Sequence, residues 1–168
     1  MRIIFLSFMF ILTLLAQEPT KFLMESIVNE AITIGNGDDK MYVFVDPLCP
    51  KSKAFLSLIH SRKDLQEKRT YYIFLYKLKK FDSHKLIQYI YQAPERESML
   101  IDIMVKDKEP DYRRTIFKKE SLDTLRKIEN VAKQMPMKHR PYLLLFTKGS
   151  SYCRVSEGIA SCLEDNDF

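Results

Sequence analysis

Glycine is scarce in this chain: Gly35, Gly37, Gly149 and Gly158 are the only four in 168 residues. No glycine-rich phosphate loop can be assembled from them, which excludes nucleotide cradles of that type. Histidine is as sparse, and His60, His84 and His139 stand too far apart to match a metal-ligand spacing with one another or with the cysteines. A surface or helix-end role suits each. The Gly-x-Ser-x-Gly elbow of a hydrolase is missing, and Ser52, Ser57 and Ser61 fall on a predicted helix instead. Internal repeats and low-complexity tracts are also lacking. The balance of 27 basic against 22 acidic residues, a formal +5, is small and interspersed, which argues against a nucleic-acid partner. Tyr71, Tyr72, Phe74 and Tyr76 followed by Lys77, Lys79 and Lys80 imitate a base-stacking strand, but a central sheet strand with a solvated basic end reads better. No metal and no small-molecule cofactor are expected.

The N-terminus has the pattern of an export signal. Arg2 supplies a positive start, residues 3–15 are apolar apart from Ser7 and Thr13, and Ala16 precedes Gln17-Glu18-Pro19 as a small residue at a cleavage point. The apolar run is short for a bilayer span, which takes about 20 residues. The expectation is a signal peptide over 1–16 and a periplasmic or secreted chain, with an uncleaved membrane anchor as the alternative. About 150 residues then remain, enough for one domain with a real core.

Apolar spacing predicts a helix from Thr20 to about Ile32, a turn at Gly35-Asn36-Gly37-Asp38-Asp39, and a buried strand at Met41–Val45. The expected division is a helix and turn over 17–39, then one domain over 40–168. Pro50 suits the first position of a helix whose buried stripe is Ala54, Phe55, Leu58 and Ile59, and polar residues 61–68 end it. Tyr71–Leu78 reads as a second strand. Helices follow on the stripes Leu86-Ile87-Ile90-Tyr91, Met99-Leu100-Ile103-Met104 and Leu122-Leu125-Ile128-Val131, with a solvated loop around Pro110. Pro141 opens the apolar strand Tyr142–Thr147, and 151–156 returns beside it, before a short helix at 159–163. Strands joined through helices run parallel and the final tight turn gives an antiparallel pair. The fold class is therefore α/β: a mixed sheet with helices on both faces.

Within this order, Phe44-Val45-Asp46-Pro47-Leu48-Cys49-Pro50-Lys51-Ser52 ends a strand and sets a cysteine where a helix begins. That element, together with the proline-led strand at Pro141, resembles the thioredoxin fold of exported thiol-disulfide interchange proteins, particularly the periplasmic disulfide isomerase group. The helical stretch over about 82–134, between the second and third of these strands, is similar to that group's helical insertion. The resemblance implies a thioredoxin-like fold, with Pro141 as a cis-proline facing Cys49 and the backbone of Arg140 pairing with an extended substrate; a trans proline that merely starts a strand is the alternative. Two residues depart from the pattern. Ser52 replaces the resolving cysteine of a Cys-x-x-Cys site, and the bulky Arg140 stands where a smaller residue is usual.

A sulfur beside a helix N-terminus meets unpaired N–H groups and the positive end of the helix dipole, which favours thiolate over thiol. Lys51 and Lys53 add positive potential, and the Ser52 hydroxyl is in reach of the sulfur. Such a thiolate can form a mixed disulfide with a substrate, but Ser52 cannot resolve it. The expected activity is monothiol disulfide exchange, isomerisation or client capture through Cys49, with protein clients that carry cysteines. A catalytically degenerate scaffold that binds a periplasmic assembly partner is the alternative. Of the three cysteines, Cys153 and Cys162 either close a structural disulfide and leave Cys49 free, or both serve as small buried apolar residues.

Overall fold

The structure is a computed structural model that describes residues 20–112, 114–150 and 153–158. The expected signal peptide, the short helix at 159–163 and Cys162 lie outside the described residues. In chain order the elements are α1 (Thr20–Ser26), a single 3-10 turn (Val28–Glu30), β1 (Ile32–Ile34), β2 (Asp39–Val45), α2 (Pro50–Ser61), α3 (Lys63–Lys68) and β3 (Arg69–Leu75). They continue with α4 (His84–Gln92), α5 (Arg96–Met104), α6 (Lys119–Ala132), β4 (Tyr142–Phe146) and β5 (Arg154–Glu157).

The sheet runs in the order β1-β3-β2-β4-β5. β2 and β3 are parallel, joined by the crossover through α2 and α3, and every other pair is antiparallel. β2 sits at the centre, so both of its faces need apolar cover. Met41 to Val45 are accordingly all buried, as are all five residues of β4. Phe44 stacks on Phe74 of β3 with ring centroids 5.1 Å apart, and Tyr42 on Tyr72 at the same separation. Helices cover the faces, with α2 packed on α5 and α4 on α6. The later three lay down the stripes their spacing predicts, Leu86 to Tyr91, Leu100 to Met104 and Leu125 to Val131. In α2, Phe55 and Ile59 are buried as predicted, but Leu56 is buried in place of Ala54, which is exposed.

Two local expectations are corrected. The helix predicted to run to Ile32 stops at Ser26, and Ile32-Thr33-Ile34 instead form an edge strand against β3, with Ile32 opposite Ile73. The alternation of buried Ile, exposed Thr and buried Ile is the period of a strand, and β-branched residues favour it. Residues 63–68, expected only to end α2, form the separate helix α3 beneath β3. Gly35, at φ +80°, closes the turn after β1; a Cβ there would stand 2.4 Å from the carbonyl oxygen of Arg69, so the chain can pass over the start of β3 only with glycine.

β3 also ends earlier than its apolar run. After Leu75 the chain leaves the sheet, and the Leu78 N–H donates to Asp46 Oδ2 at 2.5 Å. That departure places Tyr76 and the lysines that follow beside the C-terminal end of β2, where the site lies.

Candidate functional site

β2 runs out at Val45 and the chain turns through Asp46-Pro47-Leu48. Asp46 is wholly buried, and its carboxylate organises the turn. Oδ1 accepts the Leu48 N–H at 2.9 Å, and Oδ2 accepts both the Leu78 N–H and the Ser83 hydroxyl at 3.0 Å. One side chain thus ties together the end of β2, the segment leaving β3 and the start of α4. Aspartate suits the place because its short carboxylate reaches a backbone N–H two residues on. The Cys49 N–H closes the turn by donating to the Asp46 carbonyl at 3.0 Å.

Cys49 is then the N-cap residue of α2, with Pro50 in the first turn and the Lys53 N–H donating to the Cys49 carbonyl at 3.0 Å. Its Sγ lies 3.9 Å from the carbonyl oxygen of Arg140, and the Arg140–Pro141 peptide is cis, the form the resemblance implies. Residues 91 positions apart in sequence therefore meet at one point. Cys49 is only 5% exposed, so access to its sulfur is through a groove of about 670 Å³ that it lines with Pro50, Tyr76, Met137 and Arg140.

Ser52, one turn along α2, is fully buried, and its Oγ accepts the Asp46 N–H at 3.3 Å. The expected contact of this hydroxyl with the sulfur is not what the structure shows: the hydroxyl braces the turn that carries Cys49. Of the two lysines expected to add positive potential, Lys51 lines the groove, whereas Lys53 pairs with Asp107 at 2.6 Å.

Arg140 is buried. Its guanidinium lies over the Tyr76 ring, 4.7 Å from the centroid, and donates from Nη1 to the His139 carbonyl at 3.0 Å, while Nε has no partner. Burial pulls its pKa below the ordinary guanidinium value, against the opposing influence of Tyr76, Asp46, Glu157 and Cys49. The resemblance marks Arg140 as larger than the residue usual at its place; that it fits by stacking on Tyr76 emerges only where β3 has left the sheet.

Cys153, expected as half of a bridge, is half-buried against the core at the start of β5, with a free thiol that burial pushes up in pKa. It does not line the groove that holds Cys49. Its expected partner Cys162 lies outside the described residues. Among the described residues no cluster of side chains could hold a metal ion, and no helix is long and apolar enough to cross a membrane.

A mixed sheet in this order, a cysteine capping the helix after its central strand and a cis-proline opening the strand beside it define a thioredoxin-like fold. The chain is similar to a disulfide interchange protein from Neisseria gonorrhoeae, at 23% identity and TM-score 0.58 over 79% of this chain and 88% of that one. Proteus mirabilis ScsC in a compact conformation is similar at 16% identity and TM-score 0.66, over 88% and 77% of the two chains. A periplasmic thioredoxin-like protein from Salmonella enterica serovar Typhimurium is similar at 15% identity and TM-score 0.60, over 84% and 92%. No family model matches the sequence, and no curated protein matches it significantly.

Proposed function

We propose that the chain is an exported thiol-disulfide exchange protein that works through one thiol, Cys49. The observation that carries this reading is the meeting of Cys49 Sγ with the Arg140 carbonyl beside a cis Pro141, at the N-terminus of α2 and on the wall of an open groove. The Cys49 thiolate attacks one sulfur of a client disulfide; the S–S bond breaks, a Cys49–client bond forms, and the other client sulfur leaves as a thiolate that takes up a proton. A second thiol of the same client, or a small external thiol, then attacks the mixed disulfide and returns Cys49 as thiolate. When the client supplies that attacking thiol, one client disulfide is replaced by another with no net oxidation, which is isomerisation. The buried Ser52 has no thiol with which to resolve the adduct internally. Export rests on the N-terminal pattern around Arg2 and Ala16 and on the periplasmic description of the Salmonella protein.

The test is covalent trapping. Incubated with a client of scrambled disulfides, the protein forms a mixed disulfide at Cys49, seen by mass spectrometry under non-reducing conditions, and Cys49→Ala forms none there. Absence of any adduct, with client reshuffling no faster than in buffer, ends the reading. A binding scaffold is the second reading, favoured by the 5% exposure of Cys49; it expects partner binding unchanged in Cys49→Ala.

A further inference from the structure

The groove beside Cys49 is lined by Lys51, Lys77, Lys79, Lys80, Lys138 and Arg140, and by no aspartate or glutamate. Six lysines elsewhere are paired: Lys53 with Asp107, Lys106 and Lys108 with Asp102, Lys127 with Glu30, Lys133 with Glu129, Lys148 with Asp38. None of the five groove lysines forms an ion pair with a described carboxylate, although Lys80 does lie over the Phe81 ring at 4.9 Å. Two carboxylates, Asp46 and Glu157, act on Arg140 at this site and offset part of the positive charge. Asp46 is buried under three hydrogen bonds, and Glu157 accepts the Lys138 N–H at 3.2 Å. Five lysines and Arg140 thus line the wall where the client must approach.

We propose that the groove selects acidic disulfides: polypeptide segments with aspartate or glutamate beside the cysteine that Cys49 attacks. This rests on the exchange reaction above and adds its substrate class. About 670 Å³ is the size of site that encloses a drug-sized ligand, enough for the cysteine and its immediate neighbours in an extended segment. Unpaired lysines around a concave wall focus the field and raise the encounter rate of an anion by about ten- to a thousandfold, an effect that salt suppresses.

The experiment uses three peptides of equal length, each with its cysteine as a 2-pyridyl disulfide. Aspartates flank the cysteine in the first, asparagines in the second and lysines in the third. Attack by the Cys49 thiolate on the peptide sulfur joins peptide to protein and expels 2-thiopyridone, whose absorbance gives the rate. The expected result is an acidic peptide about tenfold faster than its asparagine counterpart at low salt, the lysine peptide slowest, and ratios that collapse towards unity near 1 M salt. Combined Lys79→Gln, Lys80→Gln and Lys138→Gln lowers the acidic-to-asparagine ratio, and the arginine versions of the same three changes keep it. Equal rates for all three peptides overturn the substrate class and leave exchange at Cys49 standing. Rates no faster than those of a free cysteine peptide, for every substrate, remove the exchange reading and this inference with it.

Discussion

Two buried charged side chains flank Cys49, and they are held in opposite ways. The Asp46 carboxylate accepts three hydrogen bonds, from two backbone N–H groups and one hydroxyl. Arg140 has one carbonyl to donate to, an aromatic ring beneath it and a buried Nε with no partner. A fully satisfied buried charge is hard to remove, because the groups bonded to it are left unpaired; a poorly satisfied one can be replaced by an apolar side chain at little cost or some gain. Asp46 is therefore part of the frame that positions the sulfur, and Arg140 is an adjustable wall of the groove.

The comparison breaks most visibly at Asp46. Asp46→Ala leaves the Leu48 and Leu78 N–H groups without their acceptor and frees the start of α4, so we expect a loss of about 3 kcal/mol in denaturant unfolding, of the order seen when a buried network is broken. Because the same carboxylate sets the turn before Cys49, adduct formation falls as well, even at temperatures where the variant is folded. A loss below about 0.5 kcal/mol, the level of an ordinary surface change, would show that Asp46 is not the frame.

Arg140→Met sharpens the other side. The side chain is long enough to lie over Tyr76 and has no donor to leave unpaired, so stability should change by less than about 1 kcal/mol. Its effect falls on chemistry: the guanidinium is electrostatically coupled to Cys49, and its removal takes positive charge from beside the reacting thiolate. Adduct formation with a neutral pyridyl disulfide is expected to slow by a few fold, read in the stopped-flow trace rather than in the melt. A large fall in stability would mean that the stack on Tyr76 holds the site together.

Ser52→Cys asks whether the frame still fits a dithiol site. Position 52 is buried one turn from Cys49, and serine and cysteine differ little in size, so stability should move by about 1 kcal/mol or less. Mild oxidation is expected to close a disulfide between positions 49 and 52, detected by peptide mass mapping, and the variant should then reduce or oxidise model substrates. Failure to close this bridge would place the two side chains in an arrangement unlike that of a working pair.

The framework was readable in the sequence because its signals are local. The strand-ending Asp46-Pro47, Cys49 before Pro50, and Pro141 before five apolar residues each reflect a backbone rule, and the apolar stripes of α2, α4, α5 and α6 follow the helical period. What escaped depends on chain geometry. Ile32 to Ile34 fit a helical stripe as well as an edge strand, and only pairing with β3 decides between them. The run Tyr71–Leu78 gives no sign that the sheet ends at Leu75, yet that exit brings Tyr76 beneath Arg140 and three lysines to the groove beside Cys49. Ser52 could be named as a missing thiol, but its bond to the Asp46 N–H could not.

A third charged group shares features of both. Glu30, in the turn after α1, accepts from Thr124 at 3.0 Å and pairs with Lys127, both on α6. Burial pushes its carboxyl up, but the bonds from Lys127 and Thr124 and the charges of Lys127 and Arg96 together hold it below the ordinary glutamate value. Like Asp46 it is satisfied; unlike Asp46 its main partner is largely in water, with Lys127 61% exposed, so screening limits its worth. Glu30→Gln is accordingly expected to cost about 1 kcal/mol at neutral pH. A carboxylate whose folded pKa is depressed gives its stabilisation above the unfolded value, and loses it as pH falls through the folded one. The difference between wild type and Glu30→Gln should thus be constant from neutral pH down to about 4.5, where the unfolded group titrates, and shrink below it. Urea melts of both proteins across that range check the sign, and a gap that widened in acid would show that Glu30 acts here through packing and not through its charge.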